Sequence, residues 1–144
     1  MKKILIIVLI MILLLNKKED IYVFKEENSN NLYEINLINN ISTSNFEKHL
    51  SDFDIIWIKP KINDIYKDKI RKKIYYFTDK SIKENIDYFL EQFTNNLNDL
   101  GLRGEASVYK TSGILIEKIK TYASDEQIDN LKKKFNNIKV ILVE

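Results

Sequence analysis

The chain has no cysteine, one proline, three glycines and a single histidine among its 144 residues. Without cysteine there is no disulfide, no thiolate zinc site, no thiol nucleophile and no lipid-modified cysteine. The three glycines, Gly101, Gly104 and Gly113, are taken up by a predicted helix cap and turns. None remains for a phosphate-cradling loop, which excludes nucleotide binding by P-loop or Rossmann chemistry. The lone histidine, His49, has no place in a Ser-His-Asp arrangement, and no G-x-S-x-G occurs. Its nearest acids, Glu47, Asp52 and Asp54, do not have metal-ligand spacing. His49 therefore reads as a structural residue, and Asp52-Phe53-Asp54 as acids at the polar start of a strand. No catalytic residue, cofactor site or metal site is predicted.

Charge of one sign is also missing where a nucleic-acid binder would need it. The formal charge of +2 comes from Lys2 and Lys3, because every one of the 21 acidic residues follows residue 16 and the remaining basic residues balance them. Binding to a phosphate backbone is driven by neutralising it with Lys and Arg, so a neutral domain argues against nucleic acid as a partner.

What is present begins with a run of a dozen apolar residues, 4–15, between Lys2-Lys3 and Lys17-Lys18. A helix there would be about 18 Å long, short against a hydrocarbon core near 30 Å. The flanking lysines can reach the headgroups and relieve the mismatch. The residues after Leu15 are Asn, Lys, Lys, Glu and Asp, which lack the small-residue pattern of a cleavage site. Residues 1–16 thus read as an uncleaved signal anchor, with secretion after cleavage as the alternative. The expected location is membrane-anchored, with the domain outside the cytoplasm in the periplasm or at the cell surface.

Residues 17–144 have room for a single α+β domain. Residues 21–25 (IYVFK) and 32–38 (LYEINLI) suggest a hairpin around a polar, Asn-rich loop. A short helix capped by Ser44 and Glu47, and a buried strand over 53–58 ended by Pro60, complete a hairpin-helix-strand unit over 21–60. Residues 61–73 carry helical spacing at Ile62, Ile65, Tyr66 and Ile70, and 74–77 (IYYF) suggest a strand.

The clearest helix runs from the Ser81/Glu84 capping box through Ile82, Ile86, Phe89, Phe93, Leu97 and Leu100 to Gly101. Two strands, 105–110 and 114–120, are expected around Thr111-Ser112-Gly113. A Ser124/Gln127-capped helix and a strand over 138–143 follow. From residue 74 onward the order is strand, helix, strand, strand, helix, strand, which resembles the split βαβ order of ferredoxin-like folds. That resemblance implies an antiparallel or mixed sheet with two helices on one face.

The local feature that invites a binding role is the basic segment 59–73, with Lys67, Lys69, Arg71, Lys72 and Lys73 followed by aromatic residues. Beside an anchor, these cations suit anionic headgroups or another anionic polymer. The expected function is nevertheless a non-enzymatic interaction or assembly module of the cell envelope, with a protein partner or self-association through sheet edges. An anion-binding module using 59–73 is the alternative, and an enzyme with dispersed polar residues the second.

Overall fold

The computed structural model describes residues 30–143. The anchor segment and the first arm of the expected hairpin, 21–25, lie outside the described residues. Along the chain come β1 (Asn30–Asn36), α1 (Phe46–Leu50), β2 (Asp54–Pro60), β3 (Tyr75–Tyr76), α2 (Ile82–Asp99), α3 (Arg103–Ser112), β4 (Ile116–Ser124), α4 (Asp125–Lys134) and β5 (Lys139–Leu142). Among the described residues no helix is long and apolar enough to cross a membrane.

The fold is α+β, built on one five-stranded sheet in the order β3-β2-β4-β1-β5. β2 runs antiparallel to β3 and to β4, and β1 antiparallel to β5. β1 meets β4 where the Leu37 amide donates to the Glu117 carbonyl at 2.9 Å. Two βαβ units are interleaved. The strands of β1-α1-β2 flank β4, and those of β4-α4-β5 flank β1. The chain between the units, with β3, α2 and α3, adds β3 outside β2.

Register partners in a ladder share a face, so the pairings sort the side chains. Tyr33, Ile35, Ile55, Ile58, Tyr75, Ile116 and Ile119 join one buried cluster with residues of all four helices, among them Phe46, Phe93, Ala106 and Leu131. The other face carries Glu34, Trp57, Lys59, Tyr76, Lys118, Lys120 and Ile141. Burying each large apolar side chain of the cluster contributes about 1.5–3 kcal/mol relative to leaving it in water.

α2 forms as its sequence predicts. Ser81 and Glu84 close a reciprocal capping box, and buried Ile86, Phe89, Phe93 and Leu97 form its inner stripe. At its end Gly101 has φ +82. Gly101 N–H donates to Asn98 O at 3.0 Å and Leu102 N–H to Leu97 O at 2.8 Å, the pattern of a Schellman cap. α4 carries the second predicted capping box, Ser124 with Gln127. Its first turn holds Asp125 and Glu126 and its last Lys132, Lys133 and Lys134, matching the helix dipole at both ends.

Four expectations are corrected. Residues 105–110 are not a strand but part of α3. Leu102, Ala106 and Tyr109 recur at helical spacing and turn inward. Gly113 does take positive φ, at +83, but as the helix C-cap rather than a hairpin turn. A Cβ there would come within 2.7 Å of Thr43 Oγ1, the atom that accepts the Ile114 amide at 3.1 Å. With that strand gone, residues 74–144 do not follow the ferredoxin-like order expected of them.

Residues 61–73 form no helix beyond a short 3₁₀ turn, Lys67–Lys69. The Asn63 side chain accepts the Ile65 amide at 2.8 Å, a local turn that competes with helix. Only Tyr66 and Ile70 of the expected stripe are buried, while Ile65 is 89% exposed. The Ser44/Glu47 cap is absent from α1. Asn45 precedes the helix without capping it, and its Oδ1 accepts the Ser42 amide at 2.8 Å. β1 lies between β4 and β5, so both of its described neighbours come from the far end of the chain.

Candidate functional site

The basic segment leaves buried Pro60 and crosses to β3 beside α2. Its cations do not form one patch. Lys67 and Lys73 turn toward an open cleft of about 550 Å³ that Lys59, Lys61, Asp64, Asp68 and Glu117 also line. Lys69, Arg71 and Lys72 instead border a depression of about 230 Å³ with Asn96, Asp99 and Leu100 at the C-terminal end of α2.

Most of these charges have local work. In the cleft Lys59 lies 3.7 Å from Glu117 and Lys67 3.3 Å from Asp64. Lys61 Nζ donates to Asn39 Oδ1 at 2.9 Å. Lys73 Nζ donates to the carbonyls of Lys67 and Ile70, which folds the segment back on itself. Lys72 sits 4.8 Å over the Tyr75 ring. α2 has no basic residue in its own last turn, so Lys69, Arg71 and Lys72 supply from a neighbouring segment the positive charge its dipole favours there.

His49 lies on α1 against α4 and the residue that follows it. Its ring meets Phe135 edge-on at 4.9 Å, and Nδ1 is buried without a hydrogen bond. Burial first, then Lys134 and Lys48, hold its pKa below the ordinary 6.5. The folded form thus disfavours the proton relative to the unfolded chain. The corresponding stability is complete above about pH 6.5 and is lost as pH falls toward and through the depressed folded value. Urea midpoints measured from pH 7.5 down to 5 should fall further for the wild type than for His49→Phe. Parallel losses in the two would show that the imidazole does not titrate in this way.

The buried hydroxyls are similarly local. Tyr66 and Tyr109 share a hydrogen bond at 2.8 Å, and burial, followed by that bond, raises the Tyr66 pKa. Burial also raises that of Tyr75, partly offset by the Asn96 side chain. Among the described residues no group of three His, Asp or Glu side chains is arranged to hold a metal ion. Asp52 enters the fold through its backbone carbonyl, which accepts from Gln127 Nε2 at 2.8 Å.

Sequence reading missed the contiguous exposed apolar group at the end of β5. Ile141 is 61% and Leu142 58% exposed, with Val143 beside them. Residues 138–143 read as a strand, yet their mostly apolar composition gives no sign that one side would stay unpaired. Comparison of the chain with protein families, curated proteins and solved structures finds no match.

Proposed function

We propose that this chain is a membrane-anchored, non-enzymatic interaction module of the cell envelope, held by residues 1–16 with its domain outside the cytoplasm. We further read the domain as a ferredoxin-like sheet spread over its whole length, β1-α1-β2 and β4-α4-β5 being the two halves and residues 61–115 an insertion between them. The observation that carries the interaction role is the apolar end of the sheet, where Ile141, Leu142 and Val143 are left to solvent. An apolar strand with free backbone groups is a template for another chain. The anchorage rests on the dozen apolar residues between lysine pairs, whose lowest free energy lies among lipid tails.

The test fractionates cells expressing a tagged full chain. Membrane recovery that resists high salt and yields to detergent, with protease access from outside, supports the reading. Recovery of the full chain in the cytosolic fraction overturns it.

A second reading, anion binding, is favoured by the convergence of Lys59, Lys61, Lys67 and Lys73 on one cleft. Replacing Lys59, Lys61, Lys67 and Lys73 together by Gln should then weaken salt-sensitive retention on anionic vesicles at least about tenfold, since each cation near such a surface is worth up to about 1 kcal/mol. Unchanged retention at 0.05 M and 0.15 M salt would leave these residues as a solvated surface.

A further inference from the structure

The two ends of the sheet are finished differently. At one end the inserted strand β3 covers β2, and the Phe77 amide donates to the Ile56 carbonyl at 2.9 Å. At the other end, among the described residues, β5 pairs with β1 alone.

The ladder determines which backbone groups β5 leaves over. Val143 N–H donates to Leu32 O at 2.8 Å, and Tyr33 stands opposite Leu142, Glu34 opposite Ile141 and Ile35 opposite Val140. Hydrogen-bonded and non-hydrogen-bonded pairs alternate in an antiparallel ladder. Ile141 and Lys139 therefore bond inward to β1. The N–H and C=O of Val140 and Leu142 point outward.

We propose that β5 of a second copy closes this edge, antiparallel and across a two-fold axis, with Val140 opposite Leu142 of the second copy and Ile141 on the axis. This deepens the interaction reading above and rests on it. A register centred on Ile141 pairs all four outward groups of each copy. Moving the axis to Val140 or Leu142 pairs fewer of those groups within β5, and odd shifts face inward-bonded groups with nothing to bind.

Charge agrees with that register. Lys139 comes opposite Val143, and the two lysines lie at opposite ends, so no like charges oppose each other. The strand has no proline or bulge that would guard it against pairing. Its apolar side chains are exposed on both faces of the sheet, Ile141 on one and Leu142 on the other, and pairing covers both. A four-residue contact is small against the roughly 1,000 Å² that a free-standing interface needs. Anchoring two copies in one membrane raises their effective concentration and favours pairing there.

The full chain with Ile141→Cys, reconstituted in phosphatidylcholine vesicles and oxidised with copper phenanthroline, tests this directly. In the proposed register the two introduced thiols sit on Cα atoms about 4.5 Å apart, within disulfide range. The native chain has no cysteine to compete. Dimer formation should exceed that of Tyr122→Cys, exposed on interior strand β4, roughly tenfold. Adding Leu142→Pro removes an outward N–H but no bond to β1, so it should abolish the excess while the chain still sediments with vesicles.

Sedimentation without excess crosslinking overturns the pairing and leaves the anchorage standing. Efficient dimers from Val140→Cys or Leu142→Cys alone overturn the register. If the chain does not sediment, the anchorage fails, and the same oxidation in concentrated solution decides the pairing by itself.

Discussion

Phe93→Ala is expected to cost about 3–5 kcal/mol, the range for deleting a buried aromatic ring and a large part of the roughly 5–15 kcal/mol that holds a domain folded. Phe93 is fully buried where α2, α3 and β3 meet. Its ring lies 5.7 Å from Phe89, 6.3 Å from Tyr75 and 6.1 Å from Tyr109. The cavity would open among aromatic rings packed into the core, one of which, Tyr109, is also held by its hydrogen bond to Tyr66, so it cannot collapse freely. In urea denaturation the midpoint should drop sharply at an unchanged slope. A loss below about 1 kcal/mol would mean that α3 does not pack on α2 as described, since Tyr109 reaches Phe93 only if residues 103–112 are helical.

The second large effect is expected at Asn85, buried in the first turns of α2. Its Oδ1 accepts from the Thr78 amide at 2.9 Å and from Thr78 Oγ1 at 3.2 Å. Its Nδ2 donates to the carbonyls of Lys80 and Ser81, both at 3.0 Å. One side chain thereby satisfies the backbone of the link from β3 into the helix. Asn85→Ala takes the side-chain partner from the Thr78 amide and the Lys80 carbonyl, while the Ser81 carbonyl keeps its bond from the residue 85 amide, at about 1–3 kcal/mol for an unsatisfied buried group. Asn85→Asp keeps the acceptor and gains from the helix N-terminus, so it should recover part of the loss. Hydrogen exchange at the Thr78 amide separates the cases, fast in the alanine variant and slowed again in the aspartate. Equal exchange in wild type and alanine variant would remove Asn85 from this role.

The elements that were legible in advance are those whose signals lie within a few residues. The Ser81/Glu84 and Ser124/Gln127 boxes and the Gly101 cap are local hydrogen-bond devices, and each is found. Two of the misreadings share one cause. In 103–112, Val108 and Tyr109 resemble a strand, yet Val108 is solvent-exposed and Tyr109 turns toward Phe93. In 61–73 the apolar spacing fits a helix, but turn formation at Asn63 and burial of Tyr66 and Ile70 decide otherwise. In both stretches propensities were nearly balanced, and packing tipped them.

The candidate surfaces divide in the same way. The basic residues of 59–73 are visible in the sequence, but their distribution between a cleft and a helix end is not. Nor does the sequence show which strand ends the sheet.

From the amino-acid sequence alone come the exclusion of thiol and glycine-loop chemistry, the neutral domain charge, the apolar leader, the α+β class and the capped helices. All of these follow from which residues are present or from contacts a few positions apart. Only the tertiary structure decided that β1 lies between β4 and β5, that 103–112 is helical, and that, among the described residues, β5 has one side free. Strand order depends on pairing between residues as far apart as Tyr33 and Leu142, and no pattern confined to one strand records which partner it will find.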